Sequence, residues 1–301
     1  MNKGLKVTVR ICVLVALLGV VLVIAGRIGG GKLSFYVDPK NHQVTTQDRE
    51  LVRGSLDPET VSSLDFSVSV ADVTVEPGDS WHVEYALFSE PEITNENGVL
   101  TLRELSGEHL FSFGINTLHS SDVPHVTVTV PRDAALDRID LQTSVGDVEL
   151  TGFAAKALTV GADTGDVYLR DLALEQLTVN TDTGDLSCER VTATAATEFD
   201  TDTGDISVWE LETGAFRADG NTGDIHIRAL TGAQRIEIES DIGDTFCEVL
   251  GNEADYALDL KTDLGDVEVN GRAEGQSYST TSGSGTLKVS TDMGDIEVKF
   301  S

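Results

Sequence analysis

The chain has 301 residues, of which 40% are apolar but only 6% aromatic, so it can bury a core that is mostly aliphatic. Its 21 basic residues against 51 acidic ones give a formal charge of −30, which argues against a nucleic-acid partner, because phosphate binding needs a basic footprint. The three cysteines, Cys12, Cys188 and Cys247, include no C-x-x-C pair; they are too few for a disulfide framework and form no zinc or redox motif.

The charge is not evenly spread. Residues 1–32 hold Lys3, Lys6, Arg10, Arg27 and Lys32 and no acid, which leaves −35 on the remainder. Between Arg10 and Arg27 runs the uncharged stretch Ile11–Gly26. With Val7–Val9 and a snorkelling Arg10 it reaches the length of a membrane span. The preceding lysines and Arg10 put residues 1–10 in the cytoplasm and the rest of the chain outside, as a single-pass protein. A signal peptide, cut near Ile24-Ala25-Gly26 or left uncleaved, is the rival reading. Residues 27–60, with Gly29-Gly30-Gly31 and Pro39, read as an exit and linker before the first domain.

From there the chain is repetitive. A Gly-Asp pair recurs at Gly146, Gly165, Gly184, Gly204, Gly223, Gly243, Gly265 and Gly294, at intervals of 19, 19, 20, 19, 20, 22 and 29 residues. Apolar residues sit two and four places after each glycine, as in Val148/Leu150 and Ile225/Ile227, and seven and five places before it, as in Ile139/Leu141 and Ile236/Ile238. Both pairs alternate with polar residues, the period of a half-buried strand. Each unit is thus two short strands joined by a tight turn, with the form Thr-Asp-Thr-Gly-Asp at Thr181–Asp185 and Thr201–Asp205. Glycine supplies the positive φ, the Asp two places before it folds its carboxylate onto turn amides, and the leading Thr fits an inward corner.

A unit of about 20 residues buries no core alone, but stacked units do, at roughly 4.8 Å per layer. The expected fold is all-β: a parallel β-helix-like solenoid of about eight rungs over 136–301, of either hand, preceded by the N-terminal transmembrane helix. Residues 61–135 lack the Thr-x-x-Gly-Asp turn but keep the alternation (Leu64, Phe66, Val68, Val70; Val126–Val130), so they read as an N-terminal cap with Asp72-Val73-Thr74-Val75 as a degenerate rung. A leucine-rich repeat is the structural alternative, from Leu174-x-x-Leu177-x-Val179, but no Asn follows and the second half of each unit is a strand. Cys188 and Cys247 both fall four after a glycine, inward and three rungs apart, too far for a disulfide and therefore free.

The lysine-bearing span, Asp72-Val73-Thr74-Val75 and the serial Thr-x-x-Gly-Asp-(Val/Ile)-x-(Val/Leu) units together resemble the bacterial putative-adhesin family of β-strand-repeat proteins, a domain of unknown function. The resemblance covers about residues 60–300. It implies a bacterial cell-surface β-solenoid and carries no catalytic residues with it.

Three chemistries follow from the pattern. Stacking puts Asp163, Asp182, Asp202, Asp241 and Asp263 in one column and Asp166, Asp185, Asp205, Asp224, Asp244 and Asp266 in another. Each like-charge neighbour costs about 0.9 kcal/mol even in water. Hydrogen bonds to turn amides and diffuse counterions would offset this; Ca²⁺ held between rungs is the alternative, since hard oxygen ligands suit that ion. No other cofactor is indicated. The outward residues Tyr168, His226 and Phe246 form a candidate face for a protein or glycan ligand. For catalysis, Glu149, His226 and Glu268 lie rungs apart, and no Gly-x-Ser-x-Gly, His-Glu-x-x-His or phosphate loop occurs. The chain therefore reads as a non-enzymatic surface module that binds a partner or envelope component. A membrane-tethered regulatory accessory of the envelope-stress kind is the alternative, with a β-helix carbohydrate-active enzyme behind it.

Overall fold

The structure is a computed structural model that describes residues 51–104 and 123–301, together with the short strands Phe35–Val37, Val44–Thr45 and Ser112–Phe113. The expected anchor at 11–26 lies outside the described residues; among those described, no helix is long and apolar enough to cross a membrane. The chain divides into two units. In the first, residues 1–50 and 106–122, Phe35–Val37 pairs antiparallel with both Val44–Thr45 and Ser112–Phe113. The second, residues 51–105 and 123–301, carries a 23-stranded sheet wound into a coil.

Each turn of that coil is a rung, named here for its turn glycine. One strand precedes the glycine and another follows it, as Leu136–Val145 and Val148–Thr151 do around Gly146. Strands pair in parallel with their equivalents one rung away, so that Ile139 meets Leu158 and Leu158 meets Leu177, while Val148 meets Val167 and Val167 meets Leu186. All the inward pairs expected from the alternation are buried, from Ile139 and Leu141 through Ile296 and Val298. Large and small side chains offset each other between layers: Thr197 pairs with Phe216 and Phe199 with Ala218, leaving the two phenyl rings edge-to-face at 5.9 Å. Cys188 and Cys247 are buried and free, and burial pushes both thiols up to about 12.

The alternation yields two strands per rung, but the structure adds a third short side. After the post-turn strand the backbone bends at a left-handed residue, Gly152, Asp171, Arg190, Glu210 or Ala229, with φ between 53° and 69°. The bend turns the following residue inward, which buries Phe153, Leu172, Val191, Leu211 and Leu230. Gly152 favours such a bend and Asp171 tolerates it, whereas Arg190, Glu210 and Ala229 adopt it because the stack on either side holds them there.

Both ends are closed by strands that break the parallel pattern. Ala71-Asp72 replaces the Gly-Asp turn, and Ser63–Val70 and Asp72–Gly78 stack on the Gly146 rung, with Leu64 opposite Ile139 and Val73 opposite Val148. One more layer lies beyond, assembled from two separate segments, Val99–Glu104 and His125–Pro131. Its outer edges pair antiparallel with Pro91–Glu96 and His82–Leu87, and the latter with Val52–Leu56.

At the other end the rung order departs from the chain order. The last segment, Gly285–Met293 and Ile296–Phe300, pairs on one side with the Gly243 rung (Ile236 with Leu287, Cys247 with Val298) and on the other with the Gly265 rung (Leu258 with Leu287, Val267 with Ile296). The chain's end is thus inserted as the penultimate rung. The outermost rung is therefore Gly265, not the one that ends at Lys299–Ser301. The long final interval holds Arg272–Gly275 and Ser277–Ser279, which pair antiparallel with that rung and cover its edge.

The turn glycines are constrained twice. At Gly204, φ is +143°, and a Cβ there would collide with the carbonyl oxygen of Gly184 in the rung before it. Gly251, by contrast, has open space around its Cα. Gly204→Ala should therefore destabilise the solenoid by about 2–5 kcal/mol, whereas Gly251→Ala should stay within about 0.5 kcal/mol of the parent. Equilibrium urea unfolding of the two variants checks this, and equal costs would refute the close-packed glycine column.

Candidate functional site

The acidic turns resolve into two columns with different roles. Of the carboxylates after the glycine, each Oδ1 accepts the backbone N–H of the equivalent Asp one rung on, at 2.8–3.0 Å. The chain of bonds runs unbroken from Asp72 through Asp147, Asp166, Asp185, Asp205, Asp224, Asp244 and Asp295 to Asp266, in spatial rather than sequence order. The amide-bonding role expected of the Asp before the glycine thus belongs to the Asp after it. Asp163, Asp182, Asp202, Asp241 and Asp263 are exposed; Asp202 accepts from Asn221 Nδ2 at 2.8 Å and Asp263 from Lys261 Nζ at 2.6 Å. The corner threonines Thr143, Thr181, Thr201, Thr262 and Thr291 are buried. Among the described residues, no three His, Cys, Asp or Glu side chains converge as a metal site.

The outward face of the post-turn strands has a different composition. Its first column, three places after each glycine, runs Glu149, Tyr168, Ser187, Ser207, His226, Phe246, Glu297 and Glu268. Of the three candidate ligand residues, His226 and Phe246 are brought together: their rings stack at 4.6 Å with 16° between planes. Tyr168 stands three rungs away, its hydroxyl donating to Asp166 at 2.9 Å. The second column, five places after the glycine, contributes Trp209 and Arg228, which sequence reasoning missed because the apolar pattern ends one residue earlier. Trp209 is 51% exposed. The Arg228 guanidinium lies 5.5 Å from the Trp209 ring and 5.8 Å from that of Phe246, and Lys299 Nζ sits 4.9 Å from the Phe246 ring. Such cation–ring contacts are worth about 0.5–1 kcal/mol at exposed sites.

Arg228 Nε donates to His226 Nε2 at 2.7 Å, a bond that requires the neutral imidazole. Burial, and then the Arg228 charge, hold the His226 proton affinity below its ordinary value. Two open grooves lie along this face, of 530 Å³ beside Trp209 and 280 Å³ beside Tyr168; they share Ser187 and Glu189. The arrangement of exposed aromatic rings, two cations against them and small hydroxyl side chains suits reversible binding.

Two outcomes are expected. Asp185→Asn keeps the oxygen acceptor and removes a charge between two like neighbours, so it should raise the thermal midpoint at about 10 mM salt and lose that advantage at about 1 M. A Ca²⁺-selective midpoint rise in the parent, abolished in this variant, would instead make the ladder a metal site. For His226, the folded-state pKa lies below the unfolded one, so the unfolded chain takes up its proton first as pH falls. Stability should be full above about pH 6.5 and decline below it. His226→Gln should flatten that part of the stability profile, and the ring's NMR titration midpoint should lie below the free imidazole value.

A putative adhesin from Parabacteroides distasonis ATCC 8503 is similar at 15% identity over 84% of this chain and 98% of its own, with a TM-score of 0.48. A putative adhesin from Bacteroides fragilis NCTC 9343 (13% identity, 84% and 98%, TM-score 0.42) and a putative cell adhesion protein from Clostridium sporogenes ATCC 15579 (10% identity, 84% and 100%, TM-score 0.30) are similar as well. No curated protein sequence matches. The family description Toastrack DUF4097 matches residues 61–299, from the first strands of the N-terminal cap to the inserted last rung, and the chain belongs to that family.

Proposed function

We propose that this chain is a non-enzymatic binding module displayed on a bacterial cell surface, anchored by residues 11–26 with residues 1–10 in the cytoplasm and the solenoid outside. The observation that carries this reading is the row of Trp209, Arg228, His226 and Phe246 on the outward face, with Tyr168 further along it. Trp209 and Tyr168 leave about half their surface in water, which a packing role does not require and a recognition role does. A rigid scaffold of stacked strands holds these groups in fixed register, so binding needs little ordering of the site. The lysines ahead of the uncharged run support the orientation. For the usual kind of glycoside hydrolase, two carboxyl groups would flank one cleft, whereas the candidates Glu149 and Glu268 lie at opposite ends of their column.

The test is the capture of envelope preparations by the full-length protein in nanodiscs. Trp209→Ala should weaken capture at least about tenfold, with the thermal midpoint close to the parent's because the ring is exposed. Undiminished capture would remove this face from the function. Replacing residues 11–26 by an unrelated span should leave capture intact; loss there would favour a regulatory accessory acting through the span.

A further inference from the structure

We propose that the groove between Tyr168 and Arg228 binds a glycan carrying an acidic sugar, with one pyranose stacked on Trp209, its carboxylate on the Arg228 fork, and its hydroxyls on Ser187 and Ser207. This rests on the outward face being the binding surface and names its ligand class.

The first support is the state of Arg228. The chain has more than two acids for each base, and the neighbouring cations are claimed by them: Arg190 by Asp171 and Glu189, and Lys299 by Glu297. Arg228 is not. Among the described residues it has no carboxylate within ion-pair distance, and its one hydrogen bond uses Nε. The two terminal nitrogens are left as a planar pair of donors, the geometry that takes a carboxylate in two parallel bonds. The Nε bond to His226 and the contact with Trp209 hold the fork in place, so little side-chain freedom remains to be lost on binding.

The second support is the floor. Ser187 and Ser207 point outward between the aromatic residues, and among the described residues neither hydroxyl has a protein partner. Small hydroxyl side chains beneath an exposed indole suit a ligand with one apolar face and a polar rim, which is the character of a pyranose ring. An acyl chain would find no apolar cavity, because the core residues Cys188 and Val208 are sealed beneath the strands.

The third support is length. The two grooves join at Ser187 and Glu189, and their aromatic residues, Tyr168 and Trp209, stand two rungs apart, about 10 Å along the stack. Together they hold more than one sugar. The larger groove, at 530 Å³, falls within the range of small-ligand sites.

The experiment is calorimetric titration of the full-length protein in nanodiscs with linear trisaccharides of galacturonic, glucuronic and mannuronic acid, each against its methyl ester. The ester keeps the ring and its hydroxyls and removes the charge. At least one acid should bind at least tenfold more tightly than its ester. Arg228→Gln should abolish that preference while leaving ester binding in place, and Trp209→Ala should weaken acid and ester alike. Equal binding of acid and ester, or displacement of the acid by hexaglutamate at equal concentration, would overturn the assignment. If none of the three acids binds while envelope preparations are still captured through Trp209, the ligand class is wrong and the binding face stands. If Trp209→Ala changes neither measurement, both fall.

Discussion

From the Gly165 turn onward a glycine Cα packs against the carbonyl of the glycine one rung below, and the next residue's carboxylate accepts the amide of its counterpart one rung above. Nothing larger than hydrogen fits the first contact, and the second fixes the height of the step. Because the pair repeats at every rung, the strands on either side are held in register without sliding. A slip of one residue would carry every inward valine and leucine to the solvent face. The like-charge repulsion of the aspartate column opposes this arrangement, and the ladder of charge-assisted hydrogen bonds is what offsets it, each stronger than a neutral one.

A parallel stack leaves two open ends, and each would template further strands. The protein closes them by changing direction. Antiparallel strands cap the layer built from Val99–Glu104 and His125–Pro131, and the Arg272–Ser279 segment lies antiparallel on the outermost Gly265 rung. Inserting the C-terminal segment inside the stack gives both of its edges a parallel partner. Closure at both ends keeps the middle rungs rigid, and these are the rungs that carry Tyr168, Trp209, His226 and Phe246.

On that rigid middle, charge is partitioned by face. The turns carry the two aspartate columns into solvent, while the post-turn face gathers Arg228 and Lys299 against aromatic rings. A strongly acidic molecule thus presents a local patch of different character, set where the register allows neighbours from different rungs to cooperate. Neither Trp209 nor Arg228 forms such a patch alone; the parallel pairing of their strands brings the indole and guanidinium together.

The sequence by itself determined the rungs. Their length, turn, inward pairs and free buried cysteines all follow from a spacing of 19–22 residues and a period of two, because burial in a stacked strand depends only on parity. Tyr168, His226 and Phe246 were legible as outward residues for the same reason. Only the tertiary structure decided three other things. The third side of each rung is set by left-handed residues such as Arg190 and Glu210, whose conformation the neighbouring rungs impose and no residue type announces. The pairing of Trp209 with Arg228 depends on a contact between rungs, which a pattern within one rung does not contain. The order of the last two rungs was invisible because the Gly265 and Gly294 units carry closely similar turns, Thr-Asp-Leu-Gly-Asp and Thr-Asp-Met-Gly-Asp, and aliphatic inward pairs of the same kind. Either fits the Gly243 rung locally, and the choice rests on which arrangement also covers the outer edge.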